Sequence, residues 1–161
     1  NIVVEGINIF AATGGCAFDP KKPTVVFVHG SGLDHRSWAL QARWFAFHGF
    51  SVLAPDLPGH SLSEGEPLKS IESMGKWLVK AIKHSGAEKV HLVGHSQGFL
   101  VALEAAILLE DKLKSLTAVA SASAIPVNES LVDTAQKNTK EAADMLLRWE
   151  PLIESIVNFI P

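Results

Sequence analysis

Residues 94–98 read Gly94-His95-Ser96-Gln97-Gly98. A serine with glycine two positions to either side has the spacing of a nucleophile elbow. The serine sits on a tight turn between strand and helix, its oxygen exposed and a helix N-terminus behind it. Glycine is needed there because a Cβ would press on neighbouring backbone. The chemistry such a serine serves is acyl transfer. A base takes the hydroxyl proton, and N–H donors receive the oxyanion that develops on the attacked carbonyl. Composition alone yields two glycines and a serine at this spacing in about 5% of chains this long, at roughly 7% per residue type. The pentapeptide therefore needs its context.

That context is a set of elements able to position the serine. Val90-His91-Leu92-Val93 is an apolar run directly before the elbow, read as a strand over Lys89–Val93, and Gln97–Leu109 reads as the helix behind it. Upstream, Thr24-Val25-Val26-Phe27-Val28 is a β-branched and aromatic run of the kind buried on both faces. It runs into His29-Gly30-Ser31-Gly32, too glycine-rich for helix or strand. A third run, Ser51-Val52-Leu53-Ala54, ends in Pro55-Asp56-Leu57-Pro58-Gly59-His60-Ser61-Leu62-Ser63. Trp38–His48 reads as a crossover helix with Ser37 as N-cap, Gly49 as C′ residue, and Trp38, Ala42 and Phe45 facing inward. Ser70–Ser85 reads as a second, capped by Ser70 and closed at Gly86, with Ile71, Met74, Leu78 and Ile82 at helical spacing. Leu113–Ala120 is a further strand. Asn1–Ala12 reads as an edge strand, paired through a Gly14-Gly15 turn with a short strand near Cys16–Phe18. Strands followed by helical patterns predict a mostly parallel sheet with crossover helices, an α/β fold.

A His-Gly turn, an Asp-x-Pro-Gly turn and G-x-S-x-G, in that order, make this chain resemble the α/β-hydrolase family of serine esterases and lipases from about Ile2 onward. The resemblance implies an α/β-hydrolase core over residues 1–125, incomplete at its C-terminal side. It also implies the start of a helical cap over 126–161, where Asn128–Lys137, Thr139–Trp149 and Leu152–Ile160 look like short helices. Ser96 would be the catalytic nucleophile. The backbone N–H groups of Ser31 and Gln97 would be the oxyanion donors, with His29, Gly30, Gly32, Gly94, His95 and Gly98 completing the supporting motifs. The expected substrate is a small-molecule ester or related acyl compound, with no metal and no cofactor. Esterase, lactonase, thioesterase, C–C hydrolase and perhydrolase chemistry all fit a serine elbow. Dehalogenases and epoxide hydrolases of this family place an aspartate there. Trp38, Phe99, Met145, Leu146 and Trp149 are candidates for an apolar acyl pocket, although the same spacing suits plain core.

The family order is Ser…Asp/Glu…His, yet no histidine follows Ser96. The seven histidines are 29, 35, 48, 60, 84, 91 and 95. His29 is expected to buttress the oxyanion turn and His91 to alternate into the core. His48 and His84 fall at helix ends, and His95 is expected to point away from the serine. His35 and His60 lie in loops at the C-terminal ends of strands, where either could face the cleft. Asp133, Glu141 and Asp144 read as solvated helix faces. The expectation is an N-terminal part of a hydrolase, inactive alone, whose remaining roughly 100 residues bring the acid and histidine. A sheet ending at Leu113–Ala120 also leaves an open edge. Two alternatives stand beside it: a non-catalytic binding or interaction protein that keeps half the fold, and complementation by a second chain that carries the base.

The chain has 161 residues, 47% of them hydrophobic, enough for one modest core. A net charge of −3 without a basic cluster argues against nucleic acid. No apolar run approaches the roughly 20 residues of a membrane span. The lone cysteine, Cys16, cannot form an internal disulfide and fits a reducing, cytoplasmic setting. Oligomeric state is left open by the sequence. Three positions depart from the family pattern: Ser61 for a glycine, Gln97 for a hydrophobic residue after the nucleophile, and Phe99 for a small one in the elbow helix.

Overall fold

The computed structural model describes residues 1–122, 129–137 and 140–142. It divides into two compact units between Ile125 and Pro126. The first unit carries β1 (Ile2–Val4), β2 (Ile7–Ile9), β3 (Ala11–Ala12), β4 (Thr24–Val28), α1 (Ala39–Phe47), β5 (Ser51–Pro55), α2 (Ile71–Ser85), β6 (Val90–His95), α3 (Gln97–Leu109) and β7 (Leu113–Val119). In the second, α4 spans Glu129–Lys137. The pocket candidates Met145, Leu146 and Trp149, with Asp144 and the expected helix over 152–160, lie outside the described residues.

The sheet order is β3-β5-β4-β6-β7. The last four strands run parallel, and only β3 at the edge is antiparallel. β4 and β5 are buried along their whole length, as the unbroken apolar runs require of strands covered on both faces. Val26, Val28, Leu92 and Val90 meet Leu78, Ile82, Val101 and Ala105 of α2 and α3 in one core. On the other face Val25, Phe27, Val52 and Ala54 meet Trp38, Ala42 and Ala46 in a smaller one. Trp38 belongs to this core, with its ring 4.9 Å from that of Phe27.

α2 follows its sequence signals closely. Ser70 accepts from the Ser73 amide, Ser73 closes a reciprocal capping box, and Gly86 ends the helix at φ 78. α1 starts differently from the expectation. A 3-10 turn at His35–Trp38 precedes it, capped by Asp34 accepting from the Arg36 amide, while the Ser37 hydroxyl donates to the Asp34 carbonyl. Asp34, one turn earlier, takes the capping role because it is the side chain placed to reach the first free amide.

The N-terminal segment is not one edge strand. Glu5 and Gly6 both adopt positive φ, which reverses the chain and folds β1 onto β2 as a hairpin. Only Ala11–Ala12 reaches the sheet, against Pro55 and Ala54. Residues 16–18 form no strand. Gly14 is used for close approach instead, since a Cβ there would lie 2.2 Å from the Ala42 carbonyl oxygen of α1. His91 does not enter the core either. It is half-exposed, with Nδ1 2.8 Å from the Ser115 hydroxyl on β7, because no helix among the described residues covers that face of β6.

Candidate active site

Ser96 joins β6 to α3 at φ 51 and ψ −124. Left-handed backbone at a non-glycine residue is strained, and here two close approaches hold it. A Cβ on Gly94 would fall 2.4 Å from the Phe99 Cα, and one on Gly98 would fall 2.3 and 2.4 Å from the Val28 and His29 carbonyl oxygens. Both obstacles are backbone, so the glycines let α3 start directly on top of β4 and β6. Serine is a favoured N-cap that normally turns its hydroxyl onto the helix. Ser96 occupies the N-cap of α3 yet makes no side-chain cap bond, which leaves its hydroxyl available. Its backbone is anchored on both sides: the amide donates to the Val119 carbonyl at 3.0 Å, and the carbonyl accepts from the Phe99 amide and the Ser121 hydroxyl.

The loop after β4 comes down onto this elbow. A Cβ on Gly30 would lie 2.9 Å from His95 Nδ1 and 3.3 Å from the Ser96 Cβ. The Leu33 amide donates to the Gly30 carbonyl at 3.2 Å, and Gly32 sits at φ 68, a tight turn with Ser31 at its tip. The Ser31 hydroxyl donates to Gln97 Oε1 at 2.8 Å, linking the loop to the first residue of α3. Ser31, Gly30, Ser96 and Gln97 are thus brought together from two segments far apart in sequence.

His29 is buried beneath the turn. Its Nε2 accepts from the Leu57 amide at 3.1 Å, so Nδ1 carries the proton and donates to the Gly30 carbonyl at 2.9 Å. Burial holds its pKa below the ordinary 6.5, and the neighbouring His60 ring adds to that. Both ring nitrogens are committed, tying the turn to the loop after β5. His95 is half-buried, edge-on to Trp38, and burial lowers its pKa too. His48 and His84 each place Nδ1 on a carbonyl four residues earlier in their own helices, and His60 places Nδ1 on the Pro58 carbonyl.

Asp56 is one member of the Asp-x-Pro-Gly turn in the sequence, and its role comes from the tertiary structure. It is fully buried, accepts from the His35 amide and Nδ1 at 2.8 and 2.9 Å, and accepts from the Leu62 amide. This ties the loop after β4 to the loop after β5. A charged residue directly after a buried strand was the available signal. Asp34, His35 and Asp56 also place possible metal-ligand atoms within 4.8 Å of one another. Their oxygens are already taken up, by Arg36 for Asp34 and by His35 and Leu62 for Asp56. The Arg36 guanidinium holds the Asp34 carboxyl well below the usual carboxylate range. His35 and Asp56 have the form of an acid–base pair but stand away from the serine. Asp56 follows β5 and Ser96 follows β6, with β4 between, about 10 Å of sheet. His35 packs against Phe10 at 4.6 Å, before the outer strand β3.

Residues 23–149 match the family model of the alpha/beta hydrolase fold. The chain belongs to that family. It is 32% identical over 118 residues to the dihydrolipoyllysine-residue acetyltransferase component of the acetoin cleaving system of Cupriavidus necator, covering 72% of this chain and 30% of that protein. It is 30% identical over 119 residues to epoxide hydrolase 2 of Siraitia grosvenorii, covering 71% and 36%. A thermophilic esterase from Thermogutta terrifontis superimposes with a TM-score of 0.68 at 26% identity, over 84% of this chain and half of that one. The chain spans about a third of the length of these curated relatives. No helix among the described residues is long and apolar enough to cross a membrane.

Proposed function

We propose that this chain carries the nucleophile and oxyanion half of a serine hydrolase that acts on a small-molecule ester or related acyl compound. The observation that carries the reading is Ser96 at φ 51, an uncapping N-cap serine held between Gly94 and Gly98. A structural serine at a helix start has no reason to occupy strained backbone and leave its helix uncapped. The Ser96 Oγ attacks the carbonyl carbon and loses its proton to a base. The C=O electron pair moves onto oxygen, facing the N–H groups of Ser31 and Gln97. Collapse expels the alcohol, which takes the proton, and water releases the acid from acyl-Ser96. Epoxide opening by this family runs through an aspartate at the elbow, so the serine favours acyl chemistry despite the epoxide hydrolase relatives.

In this reading the histidine base comes from further polypeptide, since no histidine follows Ser96 in these 161 residues and the family order is Ser…Asp/Glu…His. His29, His35, His48, His60, His84 and His91 each place a ring nitrogen on another group, His95 keeps its Nδ1 buried without a partner beside Gly30, and the relatives are much longer than this chain. In the same reading residues 126–161 begin a helical cap. The test is Ser96→Ala in the polypeptide as its source produces it, assayed on p-nitrophenyl esters and by fluorophosphonate labelling. Turnover and labelling are lost, with the far-UV spectrum unchanged. Retained hydrolysis overturns the reading. The alternative of a non-catalytic binding protein predicts that the parent itself, as its source makes it, resists the fluorophosphonate.

A further inference from the structure

We infer that the hydrogen bond between the Ser31 and Gln97 side chains is a positioning clasp that sets the separation of the two oxyanion donors. The inference rests on the serine-hydrolase reading above. The two donor N–H groups sit on segments with no covalent reason to keep a fixed distance: Ser31 at the tip of the loop after β4, Gln97 at the first position of α3. An oxyanion site works only if both N–H groups reach the same oxygen, and a displacement near 1 Å is enough to lose about a hundredfold in rate.

The backbone beneath Ser31 is held firmly. His29 and Leu33 both donate to the Gly30 carbonyl, and Gly30 rests on His95 and Ser96 without room for a methyl group. The tip itself is exposed, and Gly32 beside it is free of any neighbour within 4 Å of a Cβ position. Glycine on that side leaves the tip able to swing. Across the gap, Ser31 Oγ donates to Gln97 Oε1 at 2.8 Å, bridging 66 positions of sequence. This accounts for a polar residue after the nucleophile: the amide reaches back to the loop that supplies the second donor. The bond exchanges with water at an exposed site, so its contribution to folding is small. Its effect falls on the transition state, where the donors matter most.

The experiment uses Ser31→Ala, Gln97→Met, the double variant and Ser31→Thr in the polypeptide as its source produces it, with Ser96→Ala alongside. Ser31→Ala and Gln97→Met each lower kcat roughly tenfold or more, with KM within about twofold, because the clasp acts on the transition state more than on bound substrate. The double variant loses no more than either single one, since both remove the same bond. Ser31→Thr, which keeps the hydroxyl, restores kcat. The clasp is overturned if Ser31→Ala keeps its kcat or if the two losses multiply. Loss of turnover in Ser96→Ala with an unimpaired Ser31→Ala rejects the clasp alone, whereas turnover in Ser96→Ala rejects the serine-hydrolase reading itself.

Discussion

On one face of the sheet, α2 and α3 bury Val26, Val28, Val90 and Leu92 to 1% exposure or less. On the other, α1 covers β4 and β5 and leaves His91 and Val93 of β6 half-exposed. β7 repeats the contrast, with Leu113 and Leu116 packed on the first core and most other positions open. The outward side of α1 shows Leu40, Trp44 and Phe47, with Arg43 stacked over the Phe47 ring. Ser96 stands at the start of α3, where a Cβ on Gly98 would meet the Val28 and His29 carbonyl oxygens. Its strained backbone is held by α3 pressed onto β4 and, at the open β7 end, by the Val119 carbonyl and the Ser121 hydroxyl. The geometry of Ser96 therefore draws on both the packed side and the open one.

Truncating neighbours on β6 is the most direct way to break that contrast. Leu92→Ala should lower the free energy of unfolding by about 2–5 kcal/mol, as a cavity in a packed core does. Val93→Ala, one residue along and on the open face, should lower it by about 1 kcal/mol or less. Urea titrations of both variants check the pair, and equal losses would mean the two faces are equally packed. Gly98→Ala should cost about 3 kcal/mol, because its methyl meets two carbonyl oxygens that no side-chain motion can relieve. Gly32→Ala, with open space around it, should pay only the smaller strain of its positive φ, about 1 kcal/mol.

The histidines sharpen the comparison by pH. His29 and His95 lie beside the elbow with pKa values held below 6.5 by burial. Unfolded, each binds a proton near pH 6.5, while folded each resists it. Their contribution is therefore fully present above pH 6.5 and is lost as pH falls toward the folded values. The slope is at most about 1.4 kcal/mol per pH unit for buried His29 and less for half-exposed His95. Urea midpoints at pH 7.5, 6.5 and 5.5 test this, and His29→Gln should flatten the slope. A profile that rises toward acid contradicts it. The smallest effect concerns Ser61, which adopts φ 47 in the turn after β5. Ser61→Gly should stabilise the protein by up to about 1 kcal/mol, read as a higher urea midpoint.

Much of this architecture is legible from local pattern. The strand at Thr24–Val28, α3 over Gln97–Leu109 and both caps of α2 follow from apolar runs, glycine and serine at the positions where local backbone demands them. The N-terminal hairpin was not, because Glu5-Gly6 is a weaker turn signal than Gly14-Gly15, and the stronger pair serves packing against α1. His91 misled for a related reason. Alternation places it on one face of β6, but whether a helix covers that face is no property of the strand.

The order of turns and the G-x-S-x-G spacing determined, without coordinates, which residue could be the nucleophile and which segments would surround it. Period and turn chemistry act over a few residues, so a sequence displays them directly. Only the tertiary structure decided that Ser96 takes a left-handed backbone, that Asp56 clamps two loops, and that Ser31 meets Gln97. Those depend on β4 lying between β5 and β6, and on α3 touching the end of β4. Strand order is set by the packing of whole elements, and no single stretch of residues encodes it.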